Sequence, residues 1–491
     1  MHPIISLTSK TQEIRNLVII TTGITKLPAG LFSKAEKDYM KIQKEELKRE
    51  IVSFNRLDYW IFICFLKEET DTARRLEDCR KAGDKIGLLL NENKTTKVVL
   101  FDHEDQPAEV LALAEGMALG TYQFRKYKND KECLNTLKEI EIYSKAIGDQ
   151  PSTTKGIHSS IVNLNILIEA VYRCRNLINE PNSYLTATVF SAEIVKLASA
   201  SGMKAEVLNK KKLEALQMGG LLAVNRGSHE PPTFTILEWK PAGALNRKPL
   251  VLVGKGIVYD SGGLNLKPGN SMQNMKDDMS GGAAVAAVMY AVAMAKLPVY
   301  LMGLIPATDN RPGPQAMASS DIIRMHDGTT VEIIDTDAEG RLILADALSY
   351  AKKLNPLLVI DLATLTGSAV RAIGHFAAVG MQVNAGIEMA GLKASGLDVN
   401  ERIVEFPMWE EYGEFLKSEV ADLKNLGPDE AGSITAAKFL EKFTSYPYIH
   451  LDIAGPAFLD KRDSYRGQGG TGFGVRLLFD FIGNKLTIDN G

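Results

Sequence analysis

A chain of 491 residues exceeds one ordinary domain and calls for at least two hydrophobic cores. Its composition, 45% hydrophobic and 24% charged, excludes a disordered or fibrous protein, and a net charge of -3 from 57 basic and 60 acidic side chains offers no global field for nucleic acid or an anionic membrane surface. Four cysteines, Cys64, Cys79, Cys133 and Cys174, follow neither a CxxC nor a disulfide-framework spacing and read as buried free thiols.

The first stretch, MHPIISLTSKTQEIRNLVIITTG, lacks a basic region followed by a long apolar run and a small-residue cleavage site, so a reducing, cytoplasmic setting is expected. Residues 1–150 alternate short apolar runs (LVIITT, YWIFICFL, KVVLFDH) with amphipathic stretches such as AEVLALAEGMALGTY, which predicts a small N-terminal α/β domain. The polar stretch IGDQPSTTKG (147–156) leads out of it, and helix-spaced apolar residues over 157–181, stopped by Pro181, predict a linker helix within 151–181. Residues 182–491 form a larger α/β domain. Its clearest pieces are PLVLVG (249–254), the Ala-rich stretch 279–295, VYLMGLIPA (299–307), VEIID (331–335), a helix from 340, and LLVIDLATL (357–365). Near-continuous apolar strands alternating with helices predict a mostly parallel central sheet flanked by helices. The uncharged MSGGAAVAAVMYAVAMA (279–295) falls short of the ~20 apolar residues of a membrane span and is built from Ala and Gly, so it reads as a helix packed inside the protein.

In such folds ligands sit beyond the carboxyl ends of the strands, and charged clusters fall there. After PLVLVG come Lys255, Asp260 and Lys267; MKDDMSGG brings Asp277 and Asp278; and DTDAEGRL crowds Asp335, Asp337 and Glu339 before Gly340 and Arg341. In extended chain Asp337 and Glu339 share one side, with Gly340 giving the backbone a turn. Carboxylates gathered in one cleft repel by several kcal/mol at an effective dielectric of ~20 unless a cation intervenes. Two divalent ions would balance Asp260, Asp278, Asp337 and Glu339. These motifs hold no His or Cys, so the donor set is oxygen-rich, and a lysine amine can join it if a metal holds it deprotonated. Taken singly, DTDAEGRL is an acidic first helical turn, the lysines are surface charges, and VGKG and SGG are plain glycine turns that match no phosphate-binding loop. Their joint occurrence at successive strand ends favours a site. The run KKK at 210–212 reads as a solvated helix face, and the histidines, including His326, His375 and His450, form no HExxH pair.

The stretches VGKGIVYDSGGLNLKP, MKDDMSGG, DTDAEGRLILADAL and DLATLTGS resemble, in order and spacing, the leucine aminopeptidase (cytosol aminopeptidase) family of dinuclear metallopeptidases. ADLKNLGPDEAGSITAAKFL and HLDIAGPAF extend the match and RNLINEPNSYLTA resembles its entry, so it spans about residues 173 to 476; the first 150 residues match only loosely, in AEGMALGTYQFRKYK. The resemblance implies removal of the N-terminal residue, leucine or a similar apolar one, from peptides with a free N-terminus, by a hydroxide bridging two metal ions. It implies Lys255, Asp260, Asp278, Asp337 and Glu339 as metal ligands, with Asp260 and Glu339 bridging. Lys267 would stabilise the oxyanion, Arg341 would hold a bicarbonate as general base, and Met275, Thr364, Gly367 and Ala454 would line the side-chain pocket. Zn2+ or Mn2+, or else Mg2+, would fill the site, and the subunits would form hexamers of two trimers, with the N-terminal domain serving assembly or access. The family motif opens on Asn where this chain has Asp335, which either adds charge near the metals or accepts the hydrogen bonds an Asn would. A two-metal phosphoesterase would use similar carboxylates but usually adds His or cationic groups, and the lysine ligand argues against it. A nucleic-acid partner would need a basic groove that the composition does not advertise.

Overall fold

The apolar runs of the first 150 residues become strands of one six-stranded sheet in the computed structural model, which describes residues 2–8, 16–66, 69, 71–130, 134–144 and 161–486. The strands are β1 (Ile4–Leu7), β2 (Leu17–Thr21), β3 (Ile51–Asn55), β4 (Trp60–Phe65), β5 (Lys97–Phe101) and β6 (Glu139–Tyr143), in the order β1-β6-β5-β2-β4-β3. All neighbours are parallel except the edge strand β3. Every residue of LVIIT in β2 is buried, as a continuous apolar run in a parallel sheet requires. Helices Thr72–Glu92 and Pro107–Gly120 pack against each other in the same unit.

The chain forms two compact units: Met1–Tyr172 with Asp398–Asn400 and Lys461–Gln468, and Arg173–Leu397 with Glu401–Asp460 and Gly469–Gly491. The helix expected over 157–181 runs Ile161–Asn179, and the division falls within it. The stretch 147–156 and Cys133 lie outside the described residues; Cys64, Cys79 and Cys174 are buried free thiols.

The second unit is built on a nine-stranded sheet. Its strands include β7 (Lys204–Leu208), β8 (Thr233–Trp239), β9 (Leu250–Gly254), β10 (Gly256–Asp260) and β11 (Leu301–Asn310). Two short strands, β12 (Ile322–Arg324) and β13 (Thr330–Glu332), stand apart; β14 (Leu358–Ala363), β15 (Ala378–Val383) and β16 (Ile403–Glu405) return to the main sheet, β17 (Leu423–Lys424) joins the short pair, and β18 (Tyr448–Asp452) completes the main sheet. The order is β16-β15-β18-β14-β9-β11-β8-β7, with β10 beside β11. Its centre, β18-β14-β9-β11, is parallel, and antiparallel pairs lie towards both edges. Val251, Val253 and Phe234 of the sheet pack with Leu342 and Leu344 of the helix Gly340–Ala351 in one core.

The Ala-rich stretch forms the helix Ser280–Met294, buried along all but its last residue. Its small residues let it lie against the sheet backbone: a Cβ on Gly281 would come within 1.9 Å of the Leu362 carbonyl oxygen of β14. Among the described residues no helix is long and apolar enough to cross a membrane. The lysines at 210–212 are exposed on the helix Lys210–Ala215.

VEIID departs from its expected place. Only its first two residues are strand, in β13, and β13 belongs to a separate three-stranded sheet, β12-β13-β17. The strand stops early because the N–H groups of Ile334 and Asp335 bond to a side chain, that of Asn425, in place of a neighbouring strand.

Candidate metal centre

Four loops of the second unit bring the expected charges together. Lys255 follows β9, Asp260 ends β10, Asp278 precedes the Ala-rich helix, and Asp337 and Glu339 lie in the turn between β13 and the helix Gly340–Ala351. Lys255 Nζ donates to Asp278 Oδ1 at 2.7 Å and to the Thr364 carbonyl at 2.9 Å, and pairs with Glu339 Oε1 at 3.0 Å. Lys267 Nζ lies 2.7 Å from Asp260 Oδ2 and 2.7 Å from Asp337 Oδ1. Asp260, Asp337 and Glu339 each offer an oxygen, all within 4.8 Å of one another, as a shared cation would need.

The route to this convergence differs from extended chain. Residues 336–337 form a turn and Glu339 has helical backbone angles (φ -78, ψ -35), so the two carboxylates meet by folding back. Gly340 serves contact more than turning: a Cβ there would lie 2.5 Å from Lys255 Cε and 2.7 Å from its Nζ. Asp335 Oδ1 accepts the backbone N–H of Asp337 at 2.8 Å, the bond an Asn side chain would make equally well.

The electrostatics are those of an acid-rich, water-poor cleft. Burial, then Asp260 and Glu339, push the Asp337 carboxyl up to about 7. Burial likewise raises Asp278 and Glu339, against the pull of the lysines. Burial opposes the charge on Lys255 and Lys267, but the surrounding carboxylates outweigh it and hold both ammonium groups above their ordinary value. Two lysines thus serve four carboxylates. Buried Asp278 Oδ2 and Glu339 Oε2 are left with no hydrogen-bond partner among the described residues. Such oxygens are costly unless something positive completes them. An oxygen-rich set with unpartnered atoms, which a lysine amine can join, suits divalent cations, so the residues present fit the metal expected from the sequence.

Arg341 opens the helix Gly340–Ala351 and is buried; its Nη1 donates to the Asn425 carbonyl at 2.6 Å, while Nε has no partner among the described residues. Of the expected pocket residues, Thr364 Oγ1 donates to Asp278 Oδ1 at 2.9 Å. Asp452 Oδ1 accepts the N–H groups of both Leu365 and Ala454, tying their loops together. Met275 is half-buried in the short turn Met275–Asp277 leading to Asp278, and Gly367, exposed, opens the helix Gly367–Ile373.

Several supporting residues escaped the sequence reading. Asn310, at the polar end TDN of β11, donates to Asp260 Oδ1 at 2.9 Å and to the Thr336 carbonyl at 3.0 Å. Thr336 donates to the Gly262 carbonyl at 2.6 Å. Three polar residues, Thr308 to Asn310, closing an apolar run were the one available signal for Asn310; Asn425 gave none outside the resemblance.

Residues 172–479 match the model of the cytosol aminopeptidase family, catalytic domain. The chain belongs to the cytosol aminopeptidase family. It is 42% identical over 422 residues to a probable cytosol aminopeptidase of Chlorobaculum tepidum, covering 83% of each chain, and 44% identical over 427 residues to one of Chlorobium limicola, covering 83% of this chain and 84% of that one. Among solved structures, the bottromycin maturation enzyme BotP in complex with Mn superposes with TM-score 0.82 at 30% identity, over 95% of this chain and 98% of that one. A tomato leucine aminopeptidase variant superposes with TM-score 0.83 at 26% identity, over 98% and 96%. As a member of this family the chain is a metal-dependent hydrolase of peptides, and it carries the acidic cluster of Asp260, Asp337 and Glu339.

Proposed function

We propose that the enzyme removes N-terminal leucine, or a similar apolar residue, from peptides with a free N-terminus, using two divalent ions held by Lys255, Asp260, Asp278, Asp337 and Glu339. The observation that carries this reading is four carboxylates meeting at two lysines with buried oxygens to spare. Two ions there would supply an activated water and polarise the scissile carbonyl. Zn2+ and Mn2+ suit the site best, with Mg2+ third.

The residues themselves do the rest. With the four carboxylates balanced by two ions, the free α-amine of a peptide would find a metal to coordinate where an acylated one would not, which limits attack to the terminal residue. Lys267, on the more open side of the cluster, keeps its proton and can donate to the carbonyl oxygen as negative charge develops on it. Arg341, with one N–H uncommitted among the described residues, can seat a bicarbonate to take the proton of the attacking water. The small or soft groups Met275, Thr364, Gly367 and Ala454 fit an apolar side chain. The chain itself would occupy residues 1–150 with an assembly or access domain, 151–181 with a linker helix and 182–491 with the catalytic domain, and would work in the cytoplasm as a hexamer.

Chelator-treated protein should lose activity on leucyl peptides and regain it with Mn2+ or Zn2+, while N-acetylated peptides stay intact throughout. Full activity without metal, or cleavage of the acetylated peptide, would refute the reading. Leucyl substrates should exceed lysyl or glutamyl ones by ~10-fold or more in kcat/KM. Light scattering should give about six times 53.7 kDa.

A further inference from the structure

We infer that Asn425 is the positioning residue of this centre: its side-chain amide and main-chain carbonyl set the path of residues 334–341, and so the placement of Asp337, Glu339 and Arg341. The inference rests on the metal-centre reading above.

The geometry begins where a ladder ends. Strands β13 and β17 are parallel, with Val331 opposite Leu423 and Glu332 opposite Lys424. The next rung is the Asn425 N–H donating to the Glu332 carbonyl at 2.9 Å. Ile333 still exchanges backbone bonds with Asp321 and Ser320; beyond it the chain turns towards the carboxylates, so its backbone groups need other partners. The Asn425 side chain supplies them. A carboxamide carries the same donor and acceptor as a peptide group. Its Oδ1 accepts from Ile334 N at 2.7 Å and Asp335 N at 3.3 Å, and its Nδ2 donates to the Asp335 carbonyl at 2.7 Å and, at 3.5 Å, to that of Ala338. The Asn425 carbonyl takes Arg341 Nη1 at 2.6 Å.

Asn425 thus grips the segment on both sides of Asp337, as well as the arginine two residues past Glu339, without being bonded to either carboxylate. It is fully buried, at 0% exposure, and every hydrogen-bonding position of its amide is used, which leaves it one orientation. No other side chain of that size both donates and accepts in this pattern. Asp keeps the shape but has no donors when ionised, and would face the Asp335 and Ala338 carbonyl oxygens with negative charge. Partners of this kind behind metal-binding residues typically govern affinity and activity by ~10- to 100-fold.

The test uses Asn425→Ala and Asn425→Asp in the full-length enzyme. Loaded with Mn2+, both variants should lose ~10- to 100-fold in kcat on a leucyl peptide with KM changed less than ~3-fold, since the pocket residues are untouched. Calorimetric titration of stripped protein with Mn2+ should show affinity weakened ~10-fold or more. Hydrogen exchange should quicken in peptides covering 333–341 and stay unchanged elsewhere in the second unit. The Asp variant should match the Ala variant. The inference is overturned if kcat and Mn2+ affinity stay within ~2-fold of the parent, if the Asp variant behaves as the parent, or if exchange quickens evenly across the unit. Should the Ala variant not fold, the isosteric Asp variant is judged by the same three readouts. Should the parent enzyme lack metal-dependent peptidase activity, it is the proposed function that fails, and Mn2+ affinity and exchange still decide the role of Asn425.

Discussion

Both units bury several acids, and they treat them differently. In the first unit, between the helices Thr72–Glu92 and Pro107–Gly120 and the segment 461–468, each buried carboxylate has its own partner. Glu109 pairs with Arg75 at 2.8 Å, Glu115 with Arg80 at 2.7 Å, Asp84 with Arg462 at 2.5 Å, and Glu77 accepts the Tyr465 hydroxyl at 2.8 Å. In the second unit four carboxylates share two lysines, and buried Asp278 Oδ2 and Glu339 Oε2 have no hydrogen-bond partner among the described residues. Burial alone therefore does not mark a functional acid. What sets the second unit's cluster apart, among the described residues, is several acids sharing too few partners at one place, where the acids of the first unit are each paired.

The largest test of that distinction is Glu339→Gln. It should cost at least ~100-fold in kcat/KM, along with metal content, because it removes charge from the acids in deficit; activity within ~3-fold of the parent would erase the contrast. Next comes Lys267→Ala, expected to lower kcat by ~10²-fold with metal content unchanged. Metal lost in parallel with activity would make this lysine a structural counter-ion like those of the first unit.

In the first unit the cost should appear as stability. Arg80→Ala removes the 2.7 Å ion pair to buried Glu115 and the longer one to Glu77, and should destabilise the protein by ~2 kcal/mol or more in urea unfolding, while metal stoichiometry holds. A silent Arg80→Ala would mean that the seam is less committed than its geometry.

A smaller effect comes from a third arrangement, on the main sheet. His450 Nδ1 donates to Asp361 Oδ1 at 2.8 Å across β18 and β14, and the Tyr448 hydroxyl donates to the other oxygen of Asp361. Burial opposes the imidazolium, but Asp361, followed by Asp452, outweighs both burial and the opposing charge of Arg341 and holds His450 above its ordinary value. A raised folded value gives stability that is fully present below the unfolded value of ~6.5 and is lost as pH rises through the folded one. Thermal stability should accordingly decline as pH rises from ~6 towards alkaline values, and His450→Gln should flatten that decline. A parent slope of opposite sign would contradict the pairing. The smallest effect belongs to Asp335→Asn: because Asn Oδ1 can accept the same Asp337 N–H, metal affinity and the acidic limb of the kcat/KM profile should move less than ~2-fold. A larger shift would give Asp335 a share in the charge of the centre.

The strands and the Ala-rich helix were legible because burial on both faces leaves a continuous apolar run that needs no distant information. The site acids were legible because like charges beside glycines at strand ends have few bland explanations. Their route was not. VEIID looks like a strand of the main sheet by composition alone, and only Asn425, far along the chain, explains why it stops at Glu332. Gly340 invited a turn argument, whereas its need arises from Lys255, whose approach is a tertiary fact. Asn310 and Asn425 act through single amides with partners remote in sequence, and no local pattern encodes such a pairing.

The make-up of the first unit has a consequence for how the protein comes into being. Asp84 and Glu77 lie within the first hundred residues, but Arg462 and Tyr465 arrive only with the segment Lys461–Gln468. On the ribosome, the helix Thr72–Glu92 emerges long before Arg462, the partner of Asp84, exists, whereas Glu77 has Arg80 and Lys81 of its own helix beside it from the start. A nascent chain halted anywhere before residue 461 therefore carries in Asp84 a carboxylate that can be buried only at a penalty, and the unit that is first in sequence is among the last to be completed.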